Sequence, residues 1–166
     1  MRVAGVDAST KCTGVSVMLD GKLEYYTLID LHKEKDVIKR MEMMVYKICE
    51  ELDKYELDKI YIEKCICKGG NVDSTQKLSY LSGAMMLYCV QRGIEFNNPL
   101  PSVWRKRIGI EQSSKIKRDI LKAEAVLAVK KEYGIDVGDD IAESILLTRS
   151  AFDLPKIEIS EDDLWN

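Results

Sequence analysis

The sequence predicts one α/β domain in which a three-stranded antiparallel meander leads into alternating helices and strands. Residues 3–7 and 14–19 are two apolar runs separated by a small polar loop, and a third, alternating run follows the turn signal Asp20-Gly21. Residues 33–54 then carry apolar side chains at helical spacing, and residues 59–63 form a short β-branched and aromatic run. A helix followed so closely by a strand is typical of a β-α-β unit, so the sheet should be mixed.

The second half of the chain adds helices and one more strand. Asp73 and Gln76 are predicted to cap a helix that Gly93 ends, and residues 94–96 follow as the last strand. Prolines interrupt residues 97–101, and helical spacing returns over residues 114–132 and from Asp139 onward. We therefore predict a five-stranded mixed sheet flanked by helices over residues 1–153, followed by a loosely held acidic tail over residues 154–166.

Size and composition limit the class of protein. A chain of 166 residues with 46% apolar and 32% charged residues can bury a full core and is expected to be globular. No apolar run reaches membrane-spanning length and the start lacks the pattern of a signal peptide, so we expect a cytoplasmic protein, in the host cell if a phage encodes it. The five cysteines include no Cys-x-x-Cys pair and only one histidine accompanies them, so we expect reduced thiols.

Four carboxylates are the candidate functional residues. Asp7 ends the first predicted strand and Glu63 ends the fourth, while Asp140 and Glu143 are three residues apart and share a helix face. If the first and fourth strands are neighbours, their carboxyl ends bring these acids together. An all-oxygen site of this kind suits magnesium or manganese rather than zinc, and clustered carboxylates require a cation to offset their repulsion.

Such a cluster predicts cleavage of a phosphodiester by two divalent ions about 4 Å apart. One ion would lower the pKa of the attacking water and the other would stabilise the leaving 3′ oxygen, with Asp7 as the bridging ligand. Each acid also has a structural interpretation: Asp7 as a turn residue, Glu63 as an exposed strand end, and the helix pair as residues that cap the helix or favour its dipole. Asp139 is assigned to helix capping.

Basic residues are concentrated in one stretch although the net charge is −3. Seven lysines and arginines face two acids between residues 102 and 122. Such asymmetry can create a contact surface for nucleic acid, although a solvated helix face is the alternative. The candidate contacts are Arg105, Lys106, Arg107, Lys115, Lys117 and Arg118 in this stretch, together with Lys64 and Lys68 in the loop after the second acid.

These residues resemble the RuvC family of Holliday junction resolvases, within the RNase H-like superfamily, and the compact size is similar to that of its phage-type branch. The resemblance rests on the motifs GVDASTKCTGVSVM, YIEKC, PSVWRKRIG and DDIAES, in this order over residues 2–150. It implies an RNase H-like fold and a homodimeric, Mg²⁺-dependent endodeoxyribonuclease that nicks four-way junctions symmetrically, with Mn²⁺ as a possible substitute. It also implies four metal ligands, at Asp7, Glu63, Asp140 and Glu143.

Two departures from the family pattern affect these implications. The last acid is usually an aspartate or a histidine, whereas Glu143 is a longer arm that can still ligate. Ile66 stands where the bacterial family carries an aromatic wedge, which implies that forks, flaps and other branched DNA are also accepted. The resemblance further places functional basic residues at Arg105 and at Lys115 or Lys117. It also favours a dimer interface along the helix over residues 73–92, whose apolar side an ordinary core helix would explain equally well.

Three other functions share part of this pattern. A nuclease of the same superfamily that processes structured RNA would have the same acids. An actin-like or sugar-kinase ATP-binding fold begins with a similar hairpin, but it needs a second domain that 166 residues do not hold. A catalytically inactive DNA-binding protein would not need the intact set of acids.

Overall fold

The computed structural model describes residues 1–66, 72–110 and 116–159, which form five strands and five helices. The strands are β1 (Arg2–Asp7), β2 (Cys12–Leu19), β3 (Lys22–Asp30), β4 (Lys59–Ile62) and β5 (Glu95–Asn97). The helices are α1 (Val37–Leu52), α2 (Val72–Arg92), α3 (Pro101–Ile108), α4 (Arg118–Tyr133) and α5 (Asp139–Arg149). In this part of the chain, no helix is both long and apolar enough to cross a membrane.

The strands form one mixed sheet in the order β3-β2-β1-β4-β5. The meander β1-β2-β3 is antiparallel, whereas β4 runs parallel to β1 and β5 runs parallel to β4. The predicted five-stranded mixed sheet is therefore confirmed. Because β1 is central and β4 is its parallel neighbour, the carboxyl ends of these two strands lie side by side.

Side-chain alternation along β1 divides the core into two layers. Ala4 and Val6 point to the face covered by α1 and α2, where Met44 and Met85 are fully buried. The opposite face is covered by α3, α4 and α5, and its core is centred on Trp104 and on the apolar residues of α5. Residues 3, 5 and 7 share this second face, so the last side chain of β1 points toward α5.

Helix α5 lies unusually close to the sheet because two glycines face it. A Cβ atom on Gly5 would overlap Thr148 Oγ1, and one on Gly14 would overlap the main-chain oxygen of Asp140. The hydroxyl groups of Ser16 and Thr148 are hydrogen-bonded at 2.5 Å in the same contact. These small residues allow the first turn of α5 to reach the end of β1.

Helix α3 was not predicted, because the prolines near residue 100 were interpreted only as helix breakers. Pro101 instead occupies the first turn of α3, where its missing N–H costs no hydrogen bond, and Gly109 ends the helix with a φ of +100°. Helix α1 is shorter than predicted, since Asp36 caps it by accepting a hydrogen bond from the Lys39 N–H at 2.9 Å. Helix α4 begins at Arg118, and residues 111–115 lie outside the described residues.

Two local predictions also differ from the structure. Asp73 pairs with Lys77 and Gln76 donates to the Tyr80 hydroxyl, so these two residues do not form the expected capping pair. Residues 154–159 of the predicted tail pack against the domain: Ile157 is 5% exposed, and its N–H donates to the Ile108 carbonyl at 2.8 Å. These six residues therefore pack on the domain and do not form the loosely held tail that was expected. Residues 160–166 lie outside the described residues. The domain boundary near residue 153 stays a prediction.

Candidate active site

Asp7 and Glu63 are placed together by strand pairing. Val6 and Ile62 are partners in the parallel β1-β4 ladder, so the carboxylates that follow them leave the sheet at the same edge. Glu63 shares the alternation of Tyr61, which packs in the layer of α3 to α5, and Asp7 shares that of Gly5. Both acids therefore project toward α5.

Asp140 and Glu143 come from the first turns of α5. Glu143 is 7% exposed and lines a cleft of about 430 Å³ together with Asp7 and Glu63. Asp140 also acts on Asp7 electrostatically, although its side chain is next to Cys12. The structure thus brings three of the four predicted acids to one cleft, and it places the side chain of the fourth, Asp140, next to Cys12.

The electrostatics of the cluster are centred on Asp7. Desolvation, followed by repulsion from Glu143, Glu63 and Asp140, raises the pKa of Asp7 well above its ordinary value, while Lys122 acts in the opposite direction. Burial also raises the pKa of Glu63. This repulsion is the penalty that a bound cation would remove.

Two neighbouring residues of α3 hold the acids in position. The Trp104 indole Nε1–H donates to Glu63 Oε2 at 2.7 Å, and Trp104 is 2% exposed. The Arg105 guanidinium is ion-paired with Glu143 Oε1 and lies 3.9 Å from Glu63 Oε2. Both contacts lower the pKa of Glu63 against the effect of burial. Sequence reasoning missed Trp104, although an aromatic residue beside a basic run that follows a breaker was a usable signal.

The start of α5 is held by residues outside the predicted set. Lys122 on α4 is ion-paired with Asp139, which lowers the pKa of that carboxyl. The N-cap is Gly138, so the assignment of Asp139 to side-chain capping is wrong. On the other side, desolvation and a hydrogen bond with Asp140 raise the pKa of Cys12 to about 12, which keeps this thiol protonated.

The predicted nucleic-acid contacts occupy different positions. Lys64 and Arg118 are exposed and line the cleft. Lys106, Arg107 and Lys117 are also exposed, and each is close in sequence to a residue that lines the cleft. Arg105 is buried against the acids instead of facing solvent, with 8% of its side chain exposed. Lys68 and Lys115 lie outside the described residues.

The donor set fits a hard divalent cation, because it consists of carboxylate oxygens whose mutual repulsion needs compensation. Across residues 1–66, 72–110 and 116–159, however, no three acid, cysteine or histidine side chains converge into a group that could hold an ion. The Glu143 carboxylate is engaged by Arg105 and that of Asp140 is next to Cys12. A divalent ion at these carboxylates would therefore require their side chains to change partners.

Several solved structures with a similar fold are junction resolvases. Thermus thermophilus RuvC in complex with a Holliday junction substrate is 15% identical with a TM-score of 0.71, and the match covers 90% of this chain and 91% of that chain. The fowlpox virus Holliday junction resolvase is 16% identical with a TM-score of 0.57, covering 91% and 96%. The yeast mitochondrial Holliday junction resolvase is 15% identical with a TM-score of 0.55, covering 89% and 76%. At these identities the likeness shows the shared fold.

Sequence comparisons give a family match. No curated protein sequence matches the chain significantly. A family model described as crossover junction endodeoxyribonuclease RuvC matches residues 3–147, which is most of the chain.

Proposed function

Because the chain belongs to the RuvC family of crossover junction endodeoxyribonucleases, we propose that it cleaves four-way DNA junctions with the carboxylates Asp7, Glu63, Asp140 and Glu143. Membership confirms the resemblance and the nuclease class predicted from the sequence. The observation that carries the proposal for these residues is the cleft that Asp7, Glu63 and Glu143 line together, where burial and repulsion from the other acids raise the pKa of Asp7. A buried acid in a cleft whose pKa is raised by burial and by neighbouring carboxylates is typical of a functional site.

The nucleases of this family depend on divalent metal, and we assign two Mg²⁺ ions to these acids. Asp7 would be the central ligand of the set, since it is on the central strand and interacts with the other three acids. When bound, the ions would supply Lewis acidity toward the attacking water and the leaving 3′ oxygen. Mn²⁺ can substitute because it prefers the same oxygen ligands.

The chain's own residues bind and orient the strand. Lys64 and Arg118 line the cleft and would contact the phosphates next to the acids. Trp104 fixes one carboxylate oxygen of Glu63 by a hydrogen bond, so this ligand is oriented before DNA arrives. Further phosphate contacts are assigned to the exposed Lys106, Arg107 and Lys117 and, by sequence position alone, to Lys68 and Lys115.

A homodimer explains an apolar stripe on the outer face of α2. Tyr80, Leu87 and Val90 are 58%, 56% and 71% exposed at helical spacing, with Met86 beside them. Gly83 lies within the stripe, and a Cβ atom there would have no heavy atom within 4 Å. A two-fold axis through this stripe would join two active sites that nick two strands of a junction symmetrically.

The dimer is tested by Val90→Glu, which puts charge into the stripe. We expect a monomer in sedimentation and loss of paired nicking, with junction cleavage reduced about 100-fold at nanomolar protein because burying a charge at an interface centre is costly. Ile38→Glu is the matched control, since Ile38 is 67% exposed on α1. If Val90→Glu remains dimeric, the α2 interface is wrong.

Substrate range is the remaining part of the proposal. Ile66 borders the cleft and is 43% exposed, and by the family resemblance it stands where the bacterial family carries an aromatic wedge. We propose that forks and flaps are cut besides four-way junctions, in the cytoplasm where such DNA arises.

The test incubates the purified protein and Mg²⁺ with a four-way junction, a fork, a flap, linear duplex DNA and a structured RNA. The proposal expects cleavage of the three branched DNAs, with the duplex and the RNA left largely intact. Cleavage of RNA alone would replace junction resolution with RNA processing as the function.

A further inference from the structure

Arg105 places a positive charge where the acid cluster needs one. Its guanidinium is ion-paired with Glu143 and is 3.9 Å from Glu63, and both carboxylates belong to the proposed metal site. The side chains of Arg105 and Glu143 are only 8% and 9% exposed. The pair is therefore largely shielded from solvent. Charge interactions in such a buried environment are stronger than at an exposed surface.

We propose that Arg105 is an internal counter-ion that competes with divalent metal for Glu143 and Glu63, so that metal loading requires release of its guanidinium. Arg105 is thus a positioning residue that controls access to the ligands. The inference rests on the proposed metal site, because it assumes that these two carboxylates bind the ion.

The competition follows from the geometry of the ion pair. The Glu143 oxygen that accepts from the Arg105 guanidinium cannot direct the same lone pair at a metal ion, and two cations at one carboxylate repel each other. Any contact that stabilises only the metal-free arrangement lowers the apparent metal affinity by the corresponding factor. Arg105 therefore keeps the acids paired in the absence of metal and weakens metal binding.

A released guanidinium would have an alternative partner in the cleft. Arg105 lines the cleft together with Lys64 and Arg118, which are proposed to bind phosphate. A DNA phosphate at this place would accept from Arg105 as the carboxylate does. Binding of DNA and binding of metal would then favour each other, since both stabilise the arrangement in which Arg105 has left Glu143.

The experiment measures Mg²⁺ and Mn²⁺ affinity of the DNA-free protein by calorimetry. Arg105→Met is expected to bind metal about tenfold more tightly, since close charge pairs of this kind are strongly coupled. Arg105→Gln, which keeps polar contacts but not the charge, should also bind metal more tightly. It replaces the Met variant in the experiment if that variant does not fold. Arg149→Met is the matched control, because Arg149 is also buried and ion-paired, with Glu132 at 2.9 Å, and should leave metal affinity unchanged.

A second readout follows the Trp104 indole, which donates to Glu63. In a Trp165→Phe background, Trp104 is the remaining tryptophan. Its emission should change on metal addition, at a lower metal concentration in Arg105→Met than in the parent.

Unchanged or weaker metal binding by folded Arg105→Met and Arg105→Gln would overturn the counter-ion proposal. Glu143→Gln separates this from failure of the proposed function. If Glu143→Gln weakens metal binding while the Arg105 variants do not tighten it, only the counter-ion proposal is wrong. If Glu143→Gln leaves metal binding unchanged, the metal site itself is wrong and the inference falls with it.

Discussion

The cleft has two sides that are built in different ways. Its strand side consists of Asp7 and Glu63, whose positions follow from the parallel pairing of β1 with β4. Its helix side consists of Glu143, with Asp140 one turn earlier on α5, and the positions of both depend on how closely α5 packs on the glycines of β1 and β2. Backbone hydrogen bonds hold the first pair, whereas packing and the ion pair with Arg105 hold the second.

This difference indicates which side can adjust. The strand side is part of a ladder whose register cannot shift without turning every side chain to the other face. The helix side is held by side chains that can change partners when a cation or DNA arrives. A rigid pair of ligands facing an adjustable pair would let the site assemble only when metal is present.

Among changes that displace an acid without removing it, the largest effect is expected on the helix side, from Gly14→Ala. The added methyl group would overlap the Asp140 carbonyl and push the start of α5 away from the strands. We expect the free energy of unfolding to fall by about 1–3 kcal/mol and cleavage to fall about 100-fold, because small displacements of catalytic groups are costly. Urea unfolding and junction cleavage measure the two effects.

Gly138→Ala is the control for this change, because Gly138 directly precedes α5 and a Cβ atom there has no heavy atom within 4 Å. Its stability should fall by about 0.5–1 kcal/mol, because alanine is a poorer N-cap than glycine, and its cleavage rate should stay near that of wild type. Equal losses in the two variants would contradict the importance of close packing at Gly14.

A smaller effect is expected on the strand side, from Trp104→Phe. This change removes the N–H that Glu63 accepts while β4 and its register remain. Cleavage should fall about tenfold, as is usual when a residue that orients a metal ligand is lost, and stability should fall by about 2 kcal/mol. Cleavage at the wild-type rate would show that Glu63 needs no such orientation.

The smallest effect is the pH dependence of stability in the absence of metal. Because the pKa of Asp7 is raised in the folded state, the folded protein binds a proton that the unfolded chain has lost above about pH 4. Stability therefore falls as pH rises from there through the raised pKa. At pH 8 in EDTA, the free energy of unfolding of Asp7→Asn should be about 1 kcal/mol higher than that of wild type. The difference should vanish near pH 4. Identical pH profiles in urea unfolding would contradict the repulsion.

The same division explains how much could be predicted from the sequence. The pattern of apolar runs predicts β1 and β4 and places Asp7 and Glu63 at their ends, because alternation and strand order are local signals. The sequence also predicts the shared helix face of Asp140 and Glu143. The burial of Arg105 could not be predicted, since a basic run looks the same whether one member turns inward or all face solvent, and α3 was hidden by its initial proline.

The most direct test of the account compares wild type with Asp7→Asn on a labelled four-way junction. In Mg²⁺ we predict that the Asn variant loses cleavage by about 1,000-fold or more, because it removes the carboxylate that interacts with all three other acids of the cluster. Junction binding without metal should stay within about threefold, since phosphate contacts supply most of the affinity. Glu42→Gln, an exposed acid on α1, should cut normally. Cleavage by Asp7→Asn at the wild-type rate would contradict the assignment of this carboxylate cluster as the active site.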